Sequence, residues 1–209
     1  MKKLIIIYLI IQLVVMHSAV AVATETNWQL INDEDGIKVY IFDTEYSDIV
    51  KAKTQTIINA SIEKVRFTLD DINHRHEWIP FLEISKPLTE YQENKRIEYS
   101  HFYAPWPASH RDFVYQIELI SESDQQLVYK MHSIESDLKP VDKSMIRADL
   151  YESTYTLTVL DKETTSVELV FHADPKGWLP NWLINIIQRV LPFKILRNLK
   201  SRLNSDTNL

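Results

Sequence analysis

Over residues 111–119, apolar and polar side chains alternate: Phe113, Tyr115, Ile117 and Leu119 share one phase, with Gln116 and Glu118 between them. A period of two marks a strand with one face buried. The same rhythm runs through Leu127, Tyr129 and Met131, and through Val167, Leu169 and Phe171. Eight segments read as strands: 37–42, 49–58, 84–91, 96–103, 111–121, 127–133, 145–160 and 166–173. Within 145–160 the phase changes. Ile146, Ala148 and Leu150 are even, whereas Tyr151, Tyr155, Leu157 and Val159 are odd. A β-bulge between Leu150 and Ser153 would absorb the change and bend the sheet.

Two segments carry helical spacing instead. Ser61 is an N-cap residue followed by Glu63, and Val65, Leu69 and Ile72 continue on one face, which predicts a helix over 61–73. Pro180 opens a second, longer helix. It carries an apolar residue every fourth position: Leu179, Leu183, Ile187, Leu191, Ile195, Leu199 and Leu203. Pro192 removes one ladder hydrogen bond and predicts a kink there. The order is strand pair, short helix, long antiparallel sheet, long terminal helix. One sheet has to bury its apolar face and only one long helix is available to cover it. The expected fold is therefore α+β, with a curved antiparallel sheet gripping the terminal helix.

The N-terminus reads as an address. Lys2 and Lys3 precede an apolar run from Leu4 to Met16, and Ala21-Val22-Ala23 is an A-x-A cleavage pattern. The run is shorter than the ~20 residues of a spanning helix. The expectation is a cleaved signal peptide over 1–23, one domain over 24–204, a frayed tail over 205–209, and export to the periplasm or beyond. Composition removes whole classes of function. With only Gly36 and Gly177, no glycine-rich phosphate loop exists. The chain has no cysteine, so disulfides and thiolate chemistry are absent. The net charge of −6 lacks the basic footprint of a nucleic-acid binder.

Two motifs carry a family likeness. One is Pro105-Trp106-Pro107-Ala108-Ser109-His110-Arg111-Asp112-Phe113-Val114-Tyr115, and the other is Asp174-Pro175-Lys176-Gly177-Trp178-Leu179-Pro180-Asn181-Trp182-Leu183-Ile184-Asn185. With Ile146-Arg147-Ala148 between them, they resemble START (StAR-related lipid-transfer) domains. The resemblance implies a helix-grip fold around an apolar cavity that holds a lipid, with no cofactor and no catalysis. Several such domains have a buried arginine six residues after the arginine of the R-D-F sequence. Here that position is Ile117, and the possible acidic counterpart is Glu98. Either Glu98 faces solvent or another cation answers it, because an unpaired buried carboxylate is costly. Losing that arginine points to an apolar ligand such as a fatty acid, isoprenoid or sterol-like molecule.

The inward phases and the helix row nominate cavity-lining residues: Phe113, Tyr115, Ile117, Tyr129, Met131, Tyr155, Leu169, Phe171, Leu183, Ile187 and Leu191. The helix row is a core stripe that the resemblance also makes a lid, with Gly177 and Pro192 as hinges. Arg111 and Asp112 are expected to brace the loop after Pro107. Trp106 and Trp178 are either core anchors or cavity-mouth residues. Arg189, Lys194, Arg197, Lys200 and Arg202 suit a helix C-terminus and also a transient contact with anionic lipid. His74-Arg75-His76-Glu77 lacks a third ligand, so no metal site is expected. A polyketide cyclase- or aromatase-like enzyme on the same scaffold is the alternative, and a lipid-sensing adaptor is another. An enzyme would need a polar, proton-exchanging cluster in the cavity.

Overall fold

A computed structural model of the chain describes residues 28–44 and 47–205. The expected leader lies outside the described residues. The alternating segments pair into one sheet of β1 (Gln29–Glu34), β2 (Ile37–Thr44), β3 (Ser47–Ile58), β4 (Leu82–Pro87), β5 (Lys95–Phe102), β6 (Arg111–Glu122), β7 (Gln126–Ser133), β8 (Ile146–Arg147), β9 (Asp149–Asp161) and β10 (Thr164–Asp174). The strand order is β1-β2-β3-β10-β9-β7-β6-β5-β4. All pairs along it are antiparallel, and β8 adds a short parallel pairing to β6. The chain is thus α+β, with the helix-grip arrangement expected.

Asp35 and Gly36 both have positive φ and close a two-residue hairpin between β1 and β2, as primed turns require. β1 escaped sequence reading because it has only two apolar residues and is a largely exposed edge strand. The expected bulge is present: His172 pairs with Glu152 and Ala173 with Leu150, which leaves Tyr151 as the extra residue. The bulge turns Tyr151 outward, against the His172 ring at 4.9 Å. Tyr151 therefore does not share the inward phase of Tyr155.

α1 (Ile62–Asp70) begins at Ser61, whose hydroxyl accepts from the Lys64 amide. It stops short of Asn73. The guanidinium of Arg75 takes the Leu69 carbonyl, with Nη2 at 2.7 Å and Nε at 3.0 Å. The chain then tightens into a 3₁₀ helix over Ile72–Glu77.

The terminal helix is α2 (Asn181–Asn185), a π-helical turn (Ile186–Val190) and α3 (Leu191–Ser205). Ser205, assigned above to a frayed tail, is its last residue, and the remaining tail lies outside the described residues. The π turn, immediately before Pro192, is where the helix departs from α geometry. It also keeps the apolar row usable. Four residues advance about 400° around an α-helix, so six such steps would rotate the row about 240° from its starting face. The extra residue of a π turn removes about 100° of that rotation. The row begins over a cavity and ends in the core, where Leu196, Leu199 and Leu203 pack with Ile37, Val39, Leu157 and Val167.

Candidate functional site

Between the sheet and the terminal helix lies a cavity in which about 160 Å³ is open to the centre of a water molecule. β6 supplies Phe113, Tyr115 and Ile117, β7 supplies Tyr129 and Met131, β9 supplies Tyr155, and β10 supplies Leu169 and Phe171. Leu183, Ile187 and Leu191 cover them from the helix. All eleven nominated lining residues therefore meet in one wall. Sequence reading did not assign Trp78, Ile79, Leu82, Phe102 or Leu150 to it. Trp78 and Ile79 come from the apolar turn after the 3₁₀ helix.

One polar cluster interrupts the apolar wall. Glu98 on β5 is fully buried (0% exposed), behind the lining residues Ser100, Tyr115 and Arg75. Arg75 Nη1 donates to Glu98 Oε2 at 2.5 Å, and Arg96 Nε donates to Oε1 at 2.7 Å. The Tyr115 hydroxyl donates to Oε2 at 2.8 Å and lies 3.0 Å from the Ser100 hydroxyl. A different cation thus answers Glu98: Arg75 from the 3₁₀ helix occupies the role that Ile117 cannot fill. Of the two expected alternatives for Glu98, the second holds. Arg75 is legible in retrospect, because Ile72, Arg75 and Trp78 recur every third residue and so share one face of a 3₁₀ helix.

Burial alone would raise the Glu98 carboxyl, but the two guanidiniums outweigh it and hold Glu98 below its ordinary range. Burial pushes the Tyr115 hydroxyl up, and the adjacent Glu98 carboxylate adds to this. Burial would lower Arg75, but Glu98 and Tyr115 reverse that and raise it. The cluster is therefore one carboxylate between two guanidiniums, plus a neutral phenol, at neutral pH. Burial also raises Tyr155, whose hydroxyl has no hydrogen-bond partner among the described residues.

The flanking motif residues separate by role. Arg111 donates to the carbonyls of Ser109, Pro175, Lys176 and Trp178, so it ties the loop before β6 to the loop after β10. Asp112 takes no part in that brace. It points to the other face of β6, where Arg147 Nε donates to it at 2.9 Å. Gly177 has a φ of +63°, and a Cβ there would lie 2.6 Å from Ile146 Cδ1. Trp106 and Trp178 are 89% and 65% exposed, which removes the core-anchor reading. Trp182, four residues after Trp178, is 50% exposed. Ala104, Ala108, Leu179 and Leu183, close to these indoles in sequence, pack together, and Ala104, Leu179 and Leu183 line the cavity.

The basic residues of the terminal helix are largely engaged within the protein. Arg202 pairs with Glu77, Lys200 Nζ donates to the Asp35 carbonyl, and Arg197 lies over the Phe193 ring. His74 and His76 diverge, as expected, to Asp71 and to the Asn73 carbonyl.

Comparison with known proteins points the same way as the geometry. A family model described as the START domain matches residues 17–208. An uncharacterized protein of Pseudomonas aeruginosa is 25% identical over 179 residues, which cover 86% of this chain and 88% of that one. Mouse phosphatidylcholine transfer protein is 25% identical over 167 residues, 78% of this chain and 77% of that one. The crystal structure of a STAR-related lipid transfer protein from Xanthomonas axonopodis is 29% identical with a TM-score of 0.73, covering 85% of this chain and 98% of that one.

Proposed function

Since the chain belongs to the START domain family, we propose that it binds one hydrophobic, lipid-like molecule in its internal cavity and carries it between membranes in the periplasm. The observation that carries this reading is the wall itself, with residues from six strands and the terminal helix converging on a void with one polar cluster whose members bond to one another. Each methylene buried there is worth about 0.8 kcal/mol before the costs of binding. The volume suits a single chain or a fused ring system better than two acyl chains. The unpartnered Tyr155 hydroxyl suits a ligand with one polar group, such as a carboxylic acid or an alcohol.

Membrane delivery is supported by the exposed Trp106, Trp178 and Trp182, because indoles favour the bilayer interface. They are better placed for it than the basic residues of the terminal helix, most of which already have partners. Export rests on the pattern of residues 1–23, and the N-terminal sequence of protein recovered from cells tests it. An enzymatic role finds little support in the polar cluster: Glu98 is held down and Tyr115 pushed up, so neither exchanges a proton near neutral pH. The test is uptake of a fluorescent fatty acid from anionic vesicles. The reading predicts saturable one-to-one uptake that Ile187→Asp abolishes. Uptake that is absent, or unaffected by Ile187→Asp, overturns it.

A further inference from the structure

A second polar constellation lies on the opposite face of the sheet. His101 sits between Ser100 and Phe102, both in the cavity wall, so strand alternation turns its imidazole away from the cavity. On that outer face its Nδ1 is 3.5 Å from Oε2 of Glu83 on β4. His110, the last residue before β6, brings its ring to 5.3 Å from the His101 ring, and Tyr103 closes on His110 from 5.1 Å. One ligand-capable atom from each of Glu83, His101 and His110 lies within 4.8 Å of the other two. Two nitrogens of this group, His101 Nε2 and His110 Nδ1, are buried without a hydrogen-bond partner. Buried polar atoms left unpaired are uncommon and costly, and an ion is one of the few things that explains them.

We propose that Glu83, His101 and His110 bind one divalent transition-metal ion of the zinc class. Two imidazoles and a carboxylate are the donor set zinc takes when a fourth position is left to water. Calcium and magnesium prefer all-oxygen shells, so the nitrogen donors select against them. The geometry is close to ready. Ligands about 2.1 Å from a tetrahedral ion lie about 3.4 Å from one another, and the three residues already bring one ligand-capable atom each to within 4.8 Å of the others. Glu83, with its side chain about half exposed, closes the site from β4.

The position gives the site a consequence. His101 and His110 stand at the two ends of the β5–β6 connection, which carries Trp106 and places Tyr103 and Ala104 in the cavity wall. An ion held by both histidines and by Glu83 fastens that connection to β4 and stiffens the cavity rim.

The experiment is titration of chelator-treated full-length protein with zinc chloride, followed by calorimetry and by elemental analysis after dialysis. The site predicts one ion per chain and a rise in melting temperature with zinc. His101→Gln and His110→Gln each abolish stoichiometric retention, whereas a His74→Gln, His76→Gln double variant retains it. Glu83→Gln, at an exposed position that cannot compromise folding, weakens affinity at least about tenfold. Copper(II) as a probe reports two nitrogen ligands by electron paramagnetic resonance. Absence of saturable uptake, or uptake that survives the His101 and Glu83 changes and disappears with His74 and His76, overturns the proposal.

Discussion

Replacing Arg75 with leucine keeps an apolar volume in the cavity wall and removes the cation that answers Glu98. The carboxylate, fully buried, would keep Arg96 as its one guanidinium, beside the Tyr115 hydroxyl. The Leu69 carbonyl would lose both donors that end α1. Breaking a buried ion pair from one side costs about 3–5 kcal/mol, and the surviving Arg96 contact places the expected loss near the lower figure. With urea m-values of about 1–3 kcal/mol/M, the midpoint falls by roughly 1–3 M. The sign with pH is set by Glu98. Its folded-state value is lowered, so its contribution is present above the unfolded carboxyl value of about 4.3 and is lost as pH falls through the folded value. Arg75→Leu thus costs most at neutral pH, and the gap to the parent protein narrows in acid. Adding Glu98→Leu restores most of the loss, because an apolar pair replaces a buried charge pair. Urea unfolding at pH 7 and at pH 3.5 measures all three proteins. A single-variant loss below about 1 kcal/mol at pH 7, a gap that widens in acid, or a double variant worse than Arg75→Leu would refute the reasoning.

Gly177→Ala forces a Cβ into left-handed backbone against Ile146. It should cost about 1–2 kcal/mol, or roughly 2–8 °C in thermal melting, and slow ligand exchange if this position is a hinge. Arg111→Lys replaces a planar fork that reaches four carbonyls with a point donor. Limited proteolysis should then cut faster in the 103–110 and 175–180 loops while the sheet stays resistant. Tyr155→Phe should leave the melting temperature within about 1 °C, since the hydroxyl has no protein partner to lose, yet weaken binding of a fatty acid more than that of the matching hydrocarbon.

β6, β7, β9 and β10 were legible because apolar side chains recur at every second position on the face that meets the cavity. Phe113, Tyr115 and Ile117 announce that face by alternation alone, and the phase change near Leu150 announced the bulge. β1 carried no such signal, because an exposed edge strand needs no apolar stripe. Arg75 was hidden by its neighbours. In His-Arg-His-Glu every residue type favours water, and only the 3₁₀ geometry turns the arginine inward while both histidines stay outside. Trp106 and Trp178 were ambiguous because indole suits a core and a bilayer interface equally, so only their exposure in the fold separates the two roles. His101 and His110 lie nine positions apart and meet only because β5 and β6 pair, a relation no local pattern displays.

The most direct test is native mass spectrometry of the protein purified from its own cells, with solvent extraction and identification of any bound molecule. The account predicts one hydrophobic passenger per chain, with a single chain or fused ring system and one polar end. It also predicts that Met131→Glu and Ile187→Asp proteins, folded by circular dichroism, carry none. A parent protein that is empty and stays empty after incubation with lipid vesicles, or variants that retain the passenger, would contradict it.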